Sequence, residues 1–194
     1  MALASLYNKG IDATAPLEGL APLALRLYLA PIMIQAGWTK LTGFENTVAW
    51  FGSSLGMPMP EVMAALAAVT EFGGGILLIV GLGTRLVAIP LMVTMLVAAF
   101  AVHWENGWLA ISDASSWLAN DRVLEAAEKK QRAIAILREH GNYRWLTSSG
   151  SVTILNNGIE FAITYFVMLL SLFFTGGGRY TSIDYWISRK TATD

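Results

Sequence analysis

Four runs of the chain stay apolar for about the 20 residues that a helix needs to cross a bilayer. They cover roughly 20–40, 60–81, 85–104 and 154–175, and polar or glycine-bearing segments separate them. Pro60 suits the first turn of the second helix, where its missing N–H costs nothing. "GLGT" ends that helix and offers Thr84 as the cap of the third, and "TGGGRY" ends the fourth. The 81–84 connection is so short that spans two and three must be antiparallel neighbours. Pro31 and Pro90 fall inside spans, where membrane helices tolerate kinks. Trp38, Trp50, Trp104 and Trp108 gather at one border, and Tyr180, Tyr185 and Trp186 at the other. The pattern predicts an all-α integral membrane protein, a four-helix transmembrane bundle forming a single domain over 1–194.

A polar insertion, about 105–153, separates spans three and four and is too long for a structureless loop. Within it "DRVLEAAEKKQRAIAILREH", 121–140, reads as a helix, with Asn120 capping its start and Gly141 its end. Glu125/Lys129 and Glu128/Arg132 are spaced to pair on one helix face. Val123, Ala127, Ile134 and Leu137 form a modest apolar stripe. The expected role is a surface helix resting on the bundle or the headgroups, with a docking platform as the alternative.

Composition supports the membrane reading. Hydrophobic residues make up 55% of the chain and charged ones 14%, with a mean hydropathy of +0.51. A water-soluble domain carries roughly a quarter charged residues. The net charge of -1 leaves no basic excess for nucleic acid. The lack of cysteine excludes disulfides, thiolate metal sites and cysteine nucleophiles. Asp12 and Glu18 precede the first apolar run, unlike the basic start of a cleaved signal, so the first span is expected to be retained. Lys9, Arg85, Arg179, Arg189 and Lys190 flank the spans on the terminal side. Lys40, Arg138 and Arg144 do so on the insertion side. This balance places both termini in the cytoplasm.

Polar residues inside the spans are the candidate chemistry. A charge at mid-bilayer costs about 2.5–3.5 kcal/mol on insertion scales and needs a partner inside the protein. Glu71 lies near the middle of the second span, and Arg26 of the first is expected to reach it as counter-charge. A second cluster of Gln35, Lys40, His103, Asn156, Asn157 and Glu160 is expected to form a pocket open toward the insertion. Glu71, Arg26 and Glu160 are the candidates for proton handling. The competing reading is that these groups only join helices by hydrogen bonds. Gly73, Gly74 and Gly75 leave a helix face bare for close packing or, less simply, a cofactor notch. Met57, Met59 and Met63 in "GMPMPEVM" are thioethers that suit copper(I), with His103 as a further ligand.

The motifs "ALRLYLA" with Arg26, "GWTKL" with Lys40, "FGSSLGMPMPE", "TEFGGGILLIVGLGTR" with Glu71, His103 after the third span, and "NNGIEFAITYFVMLLSLFFTGGGRYTSIDYW" carry a resemblance. In this order they resemble the DoxX family of small four-span membrane proteins over nearly the whole chain. The resemblance implies the four-helix bundle and a bacterial inner-membrane location. The family includes subunits resembling thiosulfate:quinone oxidoreductases and members tied to redox homeostasis. "HGNYRWLTSSG" before "LNNGIEF" looks most like the HvfX-type branch, linked to maturation of copper-binding modified peptides. The resemblance therefore implies an accessory role in redox-linked or copper-peptide maturation. A quinone-linked oxidoreductase subunit and a small transporter or scaffold are the alternatives. Quinone or copper would be the cofactor. The expected partners are the lipid bilayer, a peptide-modifying or redox protein and, as an open case, further copies of the chain.

Overall fold

The computed structural model describes residues 14–191. The described residues are helical without any named strand. Helix α1 spans Leu20–Thr42, α2 Phe44–Ser53, α3 Pro60–Val80 and α4 Thr84–Val97. The fourth runs on as a wider π-helical segment, Ala98–His103, and a tight turn, Trp104–Asn106. Helix α5 spans Asp121–His140, α6 Tyr143–Leu146, α7 Glu160–Thr175 and α8 Ile183–Thr191. Among the described residues three helical stretches, 15–42, 60–80 and 84–106, are long and apolar enough to cross a membrane; α7 is a shorter apolar helix.

The chain divides into two compact units, Met1–Thr94 with Tyr165–Asp194, and Met95–Thr164. In the first unit the core follows the helical period. On α1 the buried stripe is Arg26, Leu29, Ala30, Met33 and Gly37. On α3 it is Ala64, Ala68, Glu71, Gly74, Gly75 and Leu78. These positions recur every three or four residues and so form one face of each helix. The outward faces carry Leu27, Tyr28, Leu66, Val69, Leu86, Ile89 and Val93, all exposed. A water-soluble protein would bury such side chains; here they face outward while two charges, Arg26 and Glu71, lie inside.

Glycine lets α1 and α3 touch backbone to backbone. A Cβ on Gly37 would collide with the Phe72 amide and lie 2.8 Å from the Ala68 carbonyl oxygen. A Cβ on Gly75 would lie 2.9 Å from the Ile34 amide nitrogen and 3.0 Å from the Ala30 oxygen. Gly74 faces Leu91 of α4, while Gly73 faces open space. The expected glycine face is thus two residues wide on α3, and its partner glycine stands on α1. Pro31 and Pro90 lie within helices that continue past them.

In the second unit α5 has the expected bounds, and the Asn120 side chain caps it by accepting from the Val123 amide at 3.1 Å. Lys129 pairs with Glu125 at 3.1 Å, both exposed. Val123 and Ala126 are the buried residues of this helix, so its apolar stripe is anchored at the first turns. The fourth apolar run becomes helical only at Glu160. Residues 154–159 are held instead by an antiparallel clip with 107–112. The Asn156 and Asn157 amides donate to the Ala110 oxygen at 2.9 Å, Gly158 to Leu109 at 3.0 Å and Ile159 to Gly107 at 2.9 Å. A Cβ on Gly158 would lie within 2.5–2.6 Å of the three carbonyls of Gly107, Trp108 and Leu109. Hydrophobicity alone could not mark this boundary, since Ile154 and Leu155 are apolar yet extended.

Candidate functional site

The central contact of the first unit is an ion pair. Lys40 Nζ lies 2.6 Å from Glu71 Oε2. The glutamate side chain is 7% exposed and the lysine 23%. Gly37 sets this geometry by bringing the later half of α1 onto the middle of α3; Lys40, one turn on, then lies opposite Glu71. The ammonium stands in the last turn of α1, where free carbonyls and the helix dipole favour a cation. It also approaches the Ala36 oxygen at 3.5 Å. Trp38 of α1 and Phe72 of α3 pack against each other with ring centroids 5.9 Å apart.

Arg26 is therefore not the counter-charge of Glu71. Its side chain is fully buried and lies at the other end of α3. Nη1 donates to the Leu78 and Ile79 oxygens at 2.9 and 3.1 Å, and Nη2 to the Thr181 oxygen at 2.8 Å. The antiparallel register places position 26 against 78–81, not 71. The guanidinium satisfies carbonyls that a helix C-terminus leaves without partners. Gly81 makes room for it, with φ at 67° and a would-be Cβ only 2.5 Å from Nη1. Nε of Arg26 has no hydrogen-bond partner.

The sequence also misassigned the cap of α4. Thr84 is buried and its Oγ1 is unpartnered. Asp184 caps the helix instead, accepting from the Gly83 amide at 2.6 Å and the Thr84 amide at 2.8 Å. Its own amide donates to the Gly81 oxygen at 3.0 Å. Arg26, the 81–84 turn and the segment 181–184 thus form one buried polar joint. Asp184 belongs to the last motif of the family resemblance, but a carboxylate a hundred positions from the helix it caps gives no local signal of that role.

The remaining candidates hold the second unit together. Asn156 is buried; its Nδ2 donates to the Asn106 and Leu109 oxygens at 2.8 and 2.7 Å, and its Oδ1 accepts from Arg122 Nε at 3.1 Å. Asn157 takes a left-handed conformation, φ 59°. Its carbonyl accepts from Asn106 Nδ2 and contacts His103 Nδ1, each at 2.9 Å. Glu160 Oε2 accepts from the Ala110 amide at 2.9 Å. Lys40 and Glu71 belong to the first unit, and these four residues to the second. Gln35 is exposed; its carbonyl accepts from Thr39 Oγ1 at 2.9 Å. Met57 is half-buried and Met59 exposed, both in the first unit. Among the described residues no three His, Cys, Asp or Glu side chains cluster as a metal site would require.

Apolar helices of membrane length that bury charged side chains and present apolar ones outward define an all-α integral membrane protein. Comparison with known proteins narrows the class. The family profile described as DoxX matches residues 21–104, the segment holding Arg26, Lys40, Glu71 and His103. The chain is 33% identical over 87 residues to inner membrane protein YqjF of Escherichia coli, covering 45% of this chain and 65% of the relative. It is 35% identical over 80 residues to a Bacillus subtilis protein named "Putative oxidoreductase CatD", covering 41% and 58%. It is 32% identical over 109 residues to inner membrane protein YphA of Escherichia coli, covering 50% and 77%. The chain thus spans less than two thirds of the length of YqjF and CatD. It belongs to the DoxX family. No solved structure matches it.

Proposed function

We propose that this protein is an inner-membrane accessory component of a redox-linked pathway, with Lys40 and Glu71 as its proton-handling pair. The 2.6 Å contact carries the reading. Ionisable groups inside a membrane are costly, and their retention points to function. Transfer of one proton from Nζ to Oε2 leaves a neutral amine and a neutral carboxylic acid, so a proton can shift within the pair without bulk water and with no change in its net charge. Glu71 is the acceptor, and Lys40 replaces Arg26 as its counter-charge. Arg26 and Glu160 act as helix-end and segment clamps. The similarity to CatD, named an oxidoreductase with the qualifier above, supports the redox setting.

A quinone fits the donor set: the partly exposed Lys40 ammonium offers a hydrogen bond to a carbonyl, and the same two helices pair the Trp38 and Phe72 rings. Bound there, a quinone would supply the two-electron chemistry that the protein's own side chains lack. Its electrons would come from a reduced partner protein, since the chain has no cysteine. His103 supports a second reading, the copper-peptide role of the HvfX type. Its Nδ1 is engaged by the Asn157 carbonyl at 2.9 Å, which orients the ring and leaves Nε2 for a ligand.

Purification in mild detergent followed by quinone and metal analysis tests both. The redox reading expects co-purifying quinone that Glu71→Gln and Lys40→Met lose while the protein still melts cooperatively. Copper without quinone, lost in His103→Ala, would replace it with the metal reading. If neither is bound and Glu71→Gln only lowers the yield of folded protein, the pair is structural.

A further inference from the structure

On the terminal side of the first unit an open groove of about 620 Å³ is lined by Arg85, Gly176, Gly177, Arg179, Asp184 and Tyr185, among others. It lies where α7 ends and α4 begins, at the level of the helix ends. Its lining carries two arginines, Arg85 and Arg179, against one acid, Asp184. Both oxygens of Asp184 are engaged by the Gly83 and Thr84 amides. Arg179 stacks on the Tyr180 ring at 4.9 Å, which holds its guanidinium in place. Arg85 makes no hydrogen bond or ion pair among the described residues.

The loop beneath the arginines is bare backbone by necessity. Gly176 and Gly178 have φ of 74° and 97°. A Cβ on Gly176 would lie 3.2 Å from Arg85 Nε, and one on Gly177 would lie 2.7 Å from Thr84 Oγ1. The Gly177, Gly178 and Arg179 amides donate to no acceptor among the described residues. Successive free amides beside guanidinium groups form a concavity suited to a phosphate. Exposed apolar side chains, Leu82, Leu86 and Phe174, belong to the same helix ends.

We propose that this groove binds the phosphodiester headgroup of an anionic phospholipid, with Arg85, Arg179 and the Gly177–Arg179 amides as its donors. The position at helix ends and the neighbouring apolar side chains favour a lipid over a free phosphate ester, because a lipid uses both surfaces at once. The proposal does not depend on the redox reading.

The test is binding of dioleoyl phosphatidylglycerol to the full-length protein in neutral detergent, read by native mass spectrometry and melting temperature. Dioleoyl phosphatidylcholine, glycerol 3-phosphate and inorganic phosphate serve as comparison ligands. The expected result is retention of phosphatidylglycerol over phosphatidylcholine, with affinity falling roughly tenfold or more in Arg85→Ala and again in Arg179→Ala, as expected for lost charge-assisted bonds. Arg85→Lys should retain part of the affinity, and both arginines are exposed, so the fold should survive. Equal binding of the two lipids, or unchanged affinity in both alanine variants, would overturn the proposal. Glycerol 3-phosphate or phosphate binding as tightly as the lipid would overturn the choice of a lipid.

Discussion

At the residue scale, the two buried charges of the first unit are solved in different ways. Glu71 meets a cation, whereas Arg26 meets carbonyls at a helix end and the backbone of a distant segment. Removing one member of a buried pair leaves an uncompensated charge, a loss of several kcal/mol when burial is complete. Lys40 is partly exposed, so Lys40→Met is expected to cost about 2 kcal/mol, below that limit. Adding Glu71→Leu should restore much of the lost stability, as a thermal melt of the double variant would show. Arg26→Met abandons three bonds from a charged donor, each worth roughly 1.5–3 kcal/mol. A large drop in melting temperature or failure to accumulate is the expected outcome. A variant that melts like wild type would mean that the joint at 78–81 holds without the guanidinium.

At the element scale, the glycines of α3 divide by direction rather than by sequence. Gly73→Ala should change stability by less than about 0.5 kcal/mol, since nothing lies near its would-be Cβ. Gly75→Ala and Gly37→Ala drive a methyl into backbone atoms and should cost about 1–3 kcal/mol each. Melting of the three variants side by side checks this. Asp184→Asn keeps one acceptor oxygen for two amides at the start of α4, so a loss of about 1 kcal/mol is expected. Helix α7 has 16 residues, about 24 Å at 1.5 Å per residue, against a hydrocarbon core of about 30 Å. A helix of that length would cross only by drawing the bilayer in or leaning on flanking segments.

At the scale of the whole molecule, the four crossings expected from the sequence would put both termini on one side of the membrane and the 105–153 insertion on the other. The balance of bases proposes the cytoplasm for the termini. The cysteine-free chain allows a clean check. Ser151→Cys should react with a membrane-impermeant maleimide in spheroplasts, and Thr191→Cys only after the membrane is opened. The reverse labelling would invert the topology.

The three membrane-length helices, the insertion helix and its Asn120 cap were legible because periodicity and capping are local properties that neighbouring residues express together. Lys40 and Glu71 were legible as intramembrane charges for the same reason, since a charge in an apolar run is visible in one dimension. Their pairing was not. Depth along a helix gives a level but neither an azimuth nor a register, so sequence reasoning assigned Glu71 to Arg26 and set Lys40 in a separate cluster toward the insertion. The contact of Gly37 with the Phe72 backbone fixed the register and gave Glu71 to Lys40. The Asp184 cap and the clip that delays α7 to Glu160 likewise join segments far apart in the chain. Sequence by itself determined which residues need partners, because burial cost belongs to each side chain. Only the tertiary structure decided which partners they have, because that depends on where two backbones are able to touch.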